Sequence, residues 1–313
     1  MTQVKKLLAL MAVWSALACP AGADAPQANA ARASSENMVV TFLDCGQGDA
    51  IVIRTPGGKI YLIDGGPNER AHGGNLDAGE DVIVPFLESR KVKVVDGIVV
   101  SHPHLDHYGG IPAVMDRFTV REFIDSGWPT KSPPYLQVLK RVEQKKMIYR
   151  VVKEGNTLNW DPKLKVEVFG PSDEPYADNP DKENPNNRSV VLKVTYNKVA
   201  FFFSGDAELE AEDHLVRTFG KRLESHIMKA PHHASKTSSM EEFLDALNPE
   251  LVVISCGRRN RFGHPNPTVL DRFKQRGLKY FRTDQDGTVQ VITDGKRYSV
   301  KKFGVGNTPG ATR

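Results

Sequence analysis

The positions of the hydrophobic residues predict an alternation of strands and helices from residue 38 onwards. Short runs rich in β-branched and aromatic residues, separated by glycine-containing turns, are typical of strands. Two of these runs predict hairpins, one turning at Asn197 and one at Asp294-Gly295. The predicted strand segments are 38–45, 50–56, 59–66, 95–102, 164–171, 189–206, 226–231, 250–257, 280–284 and 289–303.

Helices are predicted between the strands by apolar residues at three- and four-residue spacing. In the segment 135–147, Leu136, Leu139 and Val142 follow this spacing, and charged residues lie between them. The segment 267–277 begins with proline and ends with glycine, as helices prefer. Further helices are predicted at 78–91, with an interruption near Pro85, at 207–219 and at 239–247.

The order of these elements predicts two layers of sheet. In each half of the chain strands come first and helices follow. Residues 95–102 are almost continuously apolar, which fits a strand buried on both faces. We therefore expect an α/β protein with two mixed sheets packed together and helices outside. One domain is predicted over 37–303, and a division near residue 175, in a polar stretch, is the alternative.

The N-terminus has the pattern of a secretory signal peptide. Lys5 and Lys6 precede an apolar run at 7–18, and small residues follow. This run is too short to span a bilayer as a stable helix. Cleavage after Ala23 is preferred, which predicts an exported protein, periplasmic or extracellular. A lipid anchor at Cys19 is the alternative.

The predicted cleavage affects the segments and the charge that remain. Residues 24–36 are small and polar and predict a disordered linker, and 304–313 are expected to form a flexible tail. The 313-residue chain has a net charge of +4, and removal of 1–23 takes away two lysines and no acids, which leaves +2. This weak charge does not support an overall field that attracts polyanions.

The segment 101–110, SHPHLDHYGG, concentrates possible metal ligands where a buried strand is predicted to end. His102 and His104 alternate with Pro103, so an extended segment would direct both to one side. Asp106 and His107 follow after a turn. Because neutral imidazole and carboxylate suit zinc, manganese or iron, four such donors within six residues predict a metal site.

Other polar side chains follow predicted strands in the same way. Open α/β sheets hold their functional sites at the ends of strands, so these side chains are expected to join the metal cluster. A single one of them would have an ordinary explanation, such as a helix cap at Asp206 or a turn residue at Asp64. The side chains are Asp64, Asp206, His232, His233 and His264.

The block HPHLDH resembles the H-x-H-x-D-H signature of the metallo-β-lactamase-fold hydrolases. Within that superfamily, the sequence is similar to the soluble domain of ComEC-type competence proteins, which act in bacterial DNA uptake. The similarity covers about residues 38–293. The similar blocks are FLDCGQGDAIVIRTPGGKIYLIDGG, SHPHLDHYGG, NNRSVVLKV, FFFSGDAE, KAPHHASKTSS, RFGHPNPTVLDRF and FRTDQDG.

The resemblance implies an αββα sandwich with one or two divalent ions, zinc or manganese, in a cleft at the sheet edges. By this resemblance, His102 and His104 would bind the first ion. Asp106 and His107 would bind the second, and Asp206 would bridge the two ions.

The remaining site residues are also implied by the resemblance. One of His232 and His233 would complete the second site, and neither is favoured. Asp64 matches a position that orients the ligands from behind. The other residues expected to line the site are Asp49, Asn186, Asn187 and Ser189.

The sequence departs from the superfamily pattern before the predicted strand at 189. Many members carry a further histidine there as a ligand of the first ion, and the competence-like branch lacks it. Here the local residues are Asn186, Asn187, Arg188 and Ser189. A neutral amide is a weak ligand, so the first ion is expected to bind loosely or to be a harder ion such as manganese.

Two cysteines remain after the predicted cleavage, Cys45 and Cys256. Each stands where relatives tend to have an apolar residue, just before a glycine at a strand end. An oxidising compartment can pair them, and the alternative is two separate buried thiols. We state as a hypothesis that a Cys45–Cys256 disulfide joins the two halves of the site.

The predicted metal pair indicates hydrolysis, because two divalent ions supply hydroxide near neutral pH and stabilise charge on an attacked oxygen. Asp106 and Asp206 hold the ions, and Asp206 can accept the proton of the hydroxide. His264 and Lys236 are candidates to contact a substrate phosphate.

The substrate expected from the sequence is DNA, as for a phosphodiesterase or nuclease. Arginine suits phosphate recognition, and hydroxyl groups also contact phosphate oxygens. Trp128 and Tyr135 are candidates for stacking on a base or for local packing. The candidate phosphate contacts are Arg258, Arg259, Arg261, Ser235, Lys236 and Thr237.

Two alternatives to a nuclease stay open from the sequence. The first is hydrolysis of another phosphoester, such as a phosphocholine ester, or of a lactone or lactam. The second is a non-catalytic nucleic-acid-binding protein of the cell envelope, with a metal site that is structural or vestigial. Loss of turnover on chelation would distinguish a catalyst from a binding protein.

Overall fold

The computed structural model describes residues 36–176 and 183–307. The predicted signal peptide, the linker except for its last residue, and residues 308–313 of the tail lie outside these ranges. Gly304, which was placed in the tail, forms a backbone bridge with Gly287. The domain boundaries stay a prediction.

The described residues contain seventeen strands, most of them within the segments that the hydrophobic pattern predicted. In chain order they are β1 (Met38–Phe42), β2 (Ile51–Arg54), β3 (Ile60–Ile63), β4 (Val94–Val95), β5 (Gly97–Val99), β6 (Thr119–Val120), β7 (Glu122–Asp125), β8 (Ile148–Val151), β9 (Thr157–Leu158), β10 (Leu164–Gly170), β11 (Val191–Tyr196), β12 (Val199–Phe203), β13 (Ile227–Lys229), β14 (Leu251–Ile254), β15 (Lys279–Arg282), β16 (Val289–Thr293) and β17 (Tyr298–Lys302).

The strands form two large mixed sheets, as predicted. The first has eight strands in the order β17-β16-β1-β2-β3-β5-β7-β8, and the second has seven in the order β15-β14-β13-β12-β11-β10-β9. A short separate ladder joins β4 and β6. In the first sheet β3, β5, β7 and β8 are parallel neighbours, and in the second β12 to β15 are.

Helices lie in the sequence positions that were predicted for them, with one difference at 78–91. There a π-helical turn, Gly79–Ile83, runs directly into an α-helix, so the interruption comes just before Pro85. The α-helices are α1 (Val84–Ser89), α2 (Leu105–Tyr108), α3 (Ile111–Arg117), α4 (Pro133–Gln144), α5 (Leu209–Phe219), α6 (Glu241–Leu247), α7 (Pro267–Gln275) and α8 (Thr283–Asp286).

Three hydrophobic clusters separate four layers of structure. Strand β12 shows how one sequence run supplies two of them, because successive side chains of a strand point to opposite faces. Phe201 and Phe203 lie in the cluster between the sheets, and Phe202 lies in the cluster under helices α5, α6 and α7. Each buried phenylalanine contributes about 1.5–3 kcal/mol of transfer free energy.

The third cluster lies between the first sheet and helices α1, α3 and α4. Leu62 of β3 belongs to it, while the neighbouring Tyr61 and Ile63 belong to the cluster between the sheets. Across the inter-sheet space, the ring centroids of Phe42 and Phe203 are 6.3 Å apart. The layers are therefore helix, sheet, sheet and helix, which confirms the predicted αββα sandwich.

Strands β6 to β8 lie in a region where the pattern predicted no strand. Strand β8 is at the edge of its sheet, and all four of its residues are exposed. Because an exposed edge strand has no buried face, it carries no alternation of hydrophobic and polar residues. Its pairing with β7 comes from the tertiary fold.

Candidate metal centre

The predicted metal ligands lie where the parallel strands of both sheets end. Asp64 directly follows β3, and the loop that holds His102 follows β5. From the second sheet, Asp206 follows β12 and His233 follows β13. Carboxyl ends of parallel strands share one edge of a sheet, so the topology brings distant parts of the chain together.

The first pair of histidines is aimed at one point. His102 is buried, and His104, whose backbone is extended, stands at the N-cap position of the short helix α2. The Nε2 atom of His102 lies 2.9 Å from the Nδ1 atom of His104. Two ring nitrogens this close offer adjacent lone pairs to a single ion when both rings are neutral.

His107 is oriented by Asp64 from behind. Its Nδ1 donates to Asp64 Oδ2 at 2.9 Å, which leaves Nε2 directed at Asp206 Oδ2, 3.1 Å away. The Asp64 carboxylate also accepts hydrogen bonds from the backbone N–H and the hydroxyl of Ser101, both at 2.7 Å. A carboxylate behind a histidine fixes the ring and its tautomer, as in many metal sites.

Asp206 is at the centre of the cluster. Its Oδ2 lies 3.1 Å from His107 Nε2, 3.5 Å from His233 Nε2 and 3.9 Å from His102 Nε2. The same oxygen is 3.8 Å from His232 Nε2. Because nitrogens from both predicted sites surround one oxygen, Asp206 has the position of a bridging ligand.

His233 fits the second site better than His232. His233 is buried, its Nδ1 donates to the Ser255 carbonyl at 2.9 Å, and its Nε2 has no hydrogen-bond partner. His233 Nε2 also lies 3.5 Å from Asp106 Oδ2. His232 is partly exposed, and its Nδ1 lies 3.0 Å from Glu208 Oε1.

These donors fit a divalent ion. Asp49, His107, Asp206 and His233 each offer a ligand atom within 4.8 Å of the others, and all four are buried. Asp49 faces the Nδ1 atoms of His107 and His233 at 3.8 and 3.7 Å, whereas Asp106 faces their Nε2 atoms. Asp106 is therefore the better placed ligand, and Asp49 supports the histidines from behind.

Lys229 belongs to the centre, and the sequence did not predict it. This lysine is fully buried at the end of β13. Its Nζ lies 2.5 Å from Asp49 Oδ2, 3.4 Å from Asp206 Oδ1 and 2.7 Å from the Gly205 carbonyl. In the sequence, Lys229 ends a strand whose other residues are apolar and begins the block KAPHH. A lysine in such a strand is the sequence signal for a buried charge that has a partner.

The mutual electrostatics of the cluster separate the histidines into two groups. Burial and the nearby His107 lower the pKa of His102, and the same two causes lower the pKa of His104. Burial also opposes charge on His107, but Asp206 and Asp64 outweigh it and raise its pKa well above the usual value. The first pair is therefore neutral, which is the form that binds a metal.

Residues 186–189 bind other protein groups. Asn186 Nδ2 donates to Glu208 Oε1 at 2.6 Å, and Asn187 Nδ2 donates to Glu210 Oε2 at 2.9 Å. Ser189 Oγ accepts from the Asp206 backbone N–H at 3.0 Å. Ser189 thus contacts the backbone of Asp206, and Asn186 is among the residues that line the cleft. The role of the three residues at the site stays a prediction, and the sequence did not predict Glu208.

The centre opens into a cleft of about 1020 Å³. His104, Asp106, Asp206 and His232 are among the residues that line it. The loop after β14 forms another part of its wall and presents three exposed arginines. They are the predicted phosphate contacts Arg258, Arg259 and Arg261.

For the other predicted residues, contact with a phosphate stays a prediction. Ser235, Lys236 and Thr237 are not among the described residues that line the cleft. Ser235 Oγ and Thr237 Oγ1 bond to each other at 3.0 Å, and the Thr237 carbonyl accepts from Leu209 at 3.0 Å. The loop is therefore held against the start of α5, and Lys236 is exposed.

His264 lies beside the second site. Its ring centroid is 5.2 Å from that of His232 and 6.1 Å from that of His233. Its Nδ1 is buried without a hydrogen-bond partner. Burial and the neighbouring His233 and His232 lower the pKa of His264 to about 4, so its ring is neutral at physiological pH.

The predicted disulfide is wrong, because Cys45 and Cys256 are both free, buried thiols. Cys45 Sγ donates to the Gly48 carbonyl at 3.6 Å, and Cys256 Sγ donates to Asp284 Oδ1 at 3.2 Å. Cys45 therefore bonds within the loop that follows β1, and Cys256 bonds to helix α8. Burial, with Asp284 nearby, raises the pKa of Cys256 to about 12.

Trp128 and Tyr135, the candidates for base stacking, pack locally. Tyr135 is buried, and its hydroxyl donates to Asp125 at 2.6 Å. The guanidinium of Arg188 lies 4.8 Å from the Trp128 ring centroid.

None of the described helices is long and apolar enough to cross a membrane.

Comparison with known proteins finds relatives, one of which is named a competence protein. The chain is 30% identical over 267 residues to ComE operon protein 3 of Bacillus subtilis and over 251 residues to competence protein ComA of Neisseria gonorrhoeae. These alignments cover 82% and 80% of this chain, but 33% and 32% of the relatives. The chain thus spans about a third of the length of these relatives.

A solved structure and a family profile agree on the fold. A CmlA beta-hydroxylase mutant is similar with a TM-score of 0.51 at 12% identity, over 81% of this chain and 53% of that one. This likeness concerns the fold alone. The profile of the metallo-beta-lactamase superfamily matches residues 43–258, which include every predicted metal ligand. The chain therefore belongs to the metallo-beta-lactamase superfamily.

Proposed function

We propose that this protein is an exported, metal-dependent phosphodiesterase that cleaves DNA. The observation that carries the proposal is the pairing of two features in one cleft. The Nε2 atoms of His102, His107 and His233 surround Asp206 Oδ2, and His104 Nδ1 lies 2.9 Å from His102 Nε2. The wall beside them presents arginines, whose guanidinium groups suit the phosphates of a nucleic acid. The named relatives in competence support DNA as the substrate.

The chain's own residues hold and position the reacting groups in this proposal. We assign the first ion to His102 and His104, the second to Asp106, His107 and His233, and the bridge to Asp206. When bound, two divalent ions lower the pKa of water and stabilise negative charge on a phosphoryl oxygen. Zinc and manganese both suit these nitrogen and oxygen donors.

Other residues assist without binding an ion. Asp64 fixes the His107 ring through the 2.9 Å hydrogen bond to Nδ1. Lys229 holds Asp206 Oδ1 and so leaves Oδ2 for the ions. Neutral His264 lies near the second site and can donate to a phosphate oxygen or to a leaving group.

The test of this proposal is hydrolysis of DNA by the purified protein. Single- and double-stranded DNA would be incubated with added manganese, zinc or magnesium, with and without chelator. We expect metal-dependent cleavage that falls at least about 100-fold in Asp206→Asn, which keeps the size of the side chain but loses the bridging charge. The double variant Asp106→Ala, His107→Ala should be as inactive.

Lys140→Ala is the matched control, because Lys140 is exposed on α4 and lies outside the cleft lining. It should retain wild-type activity. Metal content measured on the same samples separates loss of metal from loss of catalysis. If the wild-type protein binds metal but cleaves neither DNA nor RNA, the nuclease proposal is wrong, and small phosphodiesters and lactones become the substrates to test.

A further inference from the structure

An exposed phenylalanine lies in the wall of the cleft. Phe262 is 55% exposed, the second highest value among the large hydrophobic residues in the part of the chain that the structure describes. It lines the same cleft as Asp106 and Asp206. Because the ring is exposed on the wall of the cleft, it is available to contact a ligand that enters there.

The loop that carries Phe262 is held in shape by one side chain. Asn260 Nδ2 donates to the carbonyls of Gly257 at 2.9 Å and His264 at 2.5 Å. Asn260 Oδ1 accepts from the backbone N–H groups of Phe262 at 3.2 Å and His264 at 3.0 Å. The ring is therefore presented by a preorganised loop, which reduces the entropy lost when a ligand binds.

Cationic and planar groups lie beside the ring. The Arg261 guanidinium is 5.1 Å from the Phe262 ring centroid. The His264 ring is 5.9 Å away and tilted by only 25° from the plane of Phe262. Arg258 and Arg259 line the cleft on the same loop. Aromatic rings among cations are how proteins bind unpaired nucleotides, with bases stacking on the rings and phosphates on the cations.

We propose that Phe262 is the stacking platform of a nucleobase subsite, so that the cleft takes single-stranded nucleic acid. This inference rests on the proposed function and specifies its substrate. In a duplex the faces of the bases are already stacked on their neighbours, so a protein ring reaches only an unpaired or extruded base. Phe262 is the one phenylalanine, tyrosine or tryptophan among the described residues that line the cleft.

The test measures binding separately from cleavage. Fluorescence anisotropy with a labelled single-stranded oligonucleotide and a matched duplex would be recorded in the presence of chelator, so that no hydrolysis occurs. We expect Phe262→Ala to weaken single-strand binding by about 5- to 150-fold, the effect of losing one stacked base, and to leave duplex binding within about twofold. Phe262→Trp should restore single-strand binding, because a larger ring also stacks.

Two further measurements make the result specific. Leu136→Ala is the matched control, because Leu136 is 47% exposed and lies on α4 outside the cleft lining, so its binding should equal wild type. With metal present, cleavage of the single-stranded oligonucleotide should fall in Phe262→Ala and recover in Phe262→Trp, because a ring for the base to stack on is removed and then restored.

Two outcomes overturn the subsite. One is single-strand affinity in Phe262→Ala equal to wild type, and the other is an equal loss for single strand and duplex. Either can occur while wild-type DNA cleavage persists, so the subsite can fail alone. A wild-type protein that neither binds nor cleaves nucleic acid overturns the proposed function together with the subsite.

Discussion

At the scale of single residues, Lys229 carries a positive charge that is fully buried in the centre. Burial opposes its charge, but Asp49 and Asp206 outweigh burial and raise its pKa, so the side chain is an ammonium ion. Its partners Asp49 and Asp206 are also buried. A buried charge of one sign without its counter-charge costs several kcal/mol.

Lys229→Met should therefore destabilise the metal-free protein strongly. Removal of one partner of a buried ion pair costs about 3–5 kcal/mol of unfolding free energy. Metal ions held by Asp206 would replace part of the lost positive charge, so the loss should be smaller with saturating manganese. Urea unfolding with chelator and with manganese measures both values.

The control for this prediction is Lys236→Met, which changes an exposed lysine and should alter stability by less than about 0.5 kcal/mol. An equal loss for Lys229→Met with and without metal would show that Lys229 stabilises the fold independently of the metal centre.

The residues of the centre differ in how well the sequence predicted them. His102, His104, Asp106 and His107 were predictable because four donors lie within six residues at a strand end. Lys229 was not, since its partner Asp49 is far away along the chain.

The choice between His232 and His233 also required the structure. The two are identical residue types, and both have positive φ angles, so neither spacing nor local pattern distinguishes them. Only the tertiary contacts with Ser255 and Glu208 do.

At the scale of elements, a buried carboxyl on α5 supports the start of α6. Glu212 accepts hydrogen bonds from the backbone N–H groups of Ser239 at 2.6 Å and Met240 at 2.8 Å. A side chain from another helix thus takes the role of an N-cap residue. It accepts hydrogen bonds from N–H groups that the helix itself leaves unpaired. Burial, the largest cause, raises the pKa of Glu212 to about 7.

This raised pKa predicts a pH-dependent contribution to stability. In the unfolded chain Glu212 ionises near its ordinary value of 4.5, whereas in the folded protein it stays protonated to about pH 7. The folded state therefore binds more protons between these values. The contribution is fully present below about pH 4.5, falls as pH rises towards 7, and amounts to about 3 kcal/mol.

Glu212→Gln isolates this effect, because glutamine has nearly the same shape and no titration. Subtracting the unfolding free energy of the variant from that of wild type at each pH removes the contribution of all other groups. The difference should decrease from pH 4.5 to 7 and then level. A flat difference would mean that Glu212 ionises in the folded protein at its ordinary pKa.

The directions of the loops that follow the strands explain why the disulfide prediction failed. Strand ends were predictable, so both cysteines were correctly expected near the cleft. The direction of each thiol was not, because it depends on loops after β1 and β14 whose hydrogen bonds involve Gly48 and Asp284. Local sequence predicts which residues end a strand and does not predict how the following loop turns.

At the scale of the whole molecule, the metal centre joins the two sheets. His102, His104 and His107 come from the first sheet, and Asp206 and His233 come from the second. An ion held by this set contacts ligands that come together only in the folded protein, so its binding free energy adds to folding stability.

Metal should therefore raise the melting temperature of the protein. At a metal concentration about 100 times the dissociation constant, the gain is about 2.7 kcal/mol per site, which corresponds to about 4–5 °C for a chain of this size. Thermal unfolding with chelator, and after restoring manganese or zinc, measures the shift. Asp206→Asn should lose most of this rise in melting temperature. A wild-type melting temperature that does not change on adding metal would contradict metal binding between the two sheets.

The fold itself was largely predictable, because the strands are short and apolar and the helices between them are amphipathic. The αββα layering follows from which faces are buried. The cleft wall was harder, since Phe262 lies in a loop without regular spacing, where an exposed aromatic residue has no signature in the sequence.

The pairing of β16 with β1 has a consequence for biosynthesis. Strand β1, residues Met38–Phe42, lies inside the first sheet between β2 and β16, and β16 consists of Val289–Thr293 near the other end of the chain. One edge of β1 therefore has no partner until residues 289–293 have been synthesised. An unpaired strand edge is open to wrong partners. The nascent chain thus completes its first sheet only after β16 and β17 have followed all the other strands of that sheet.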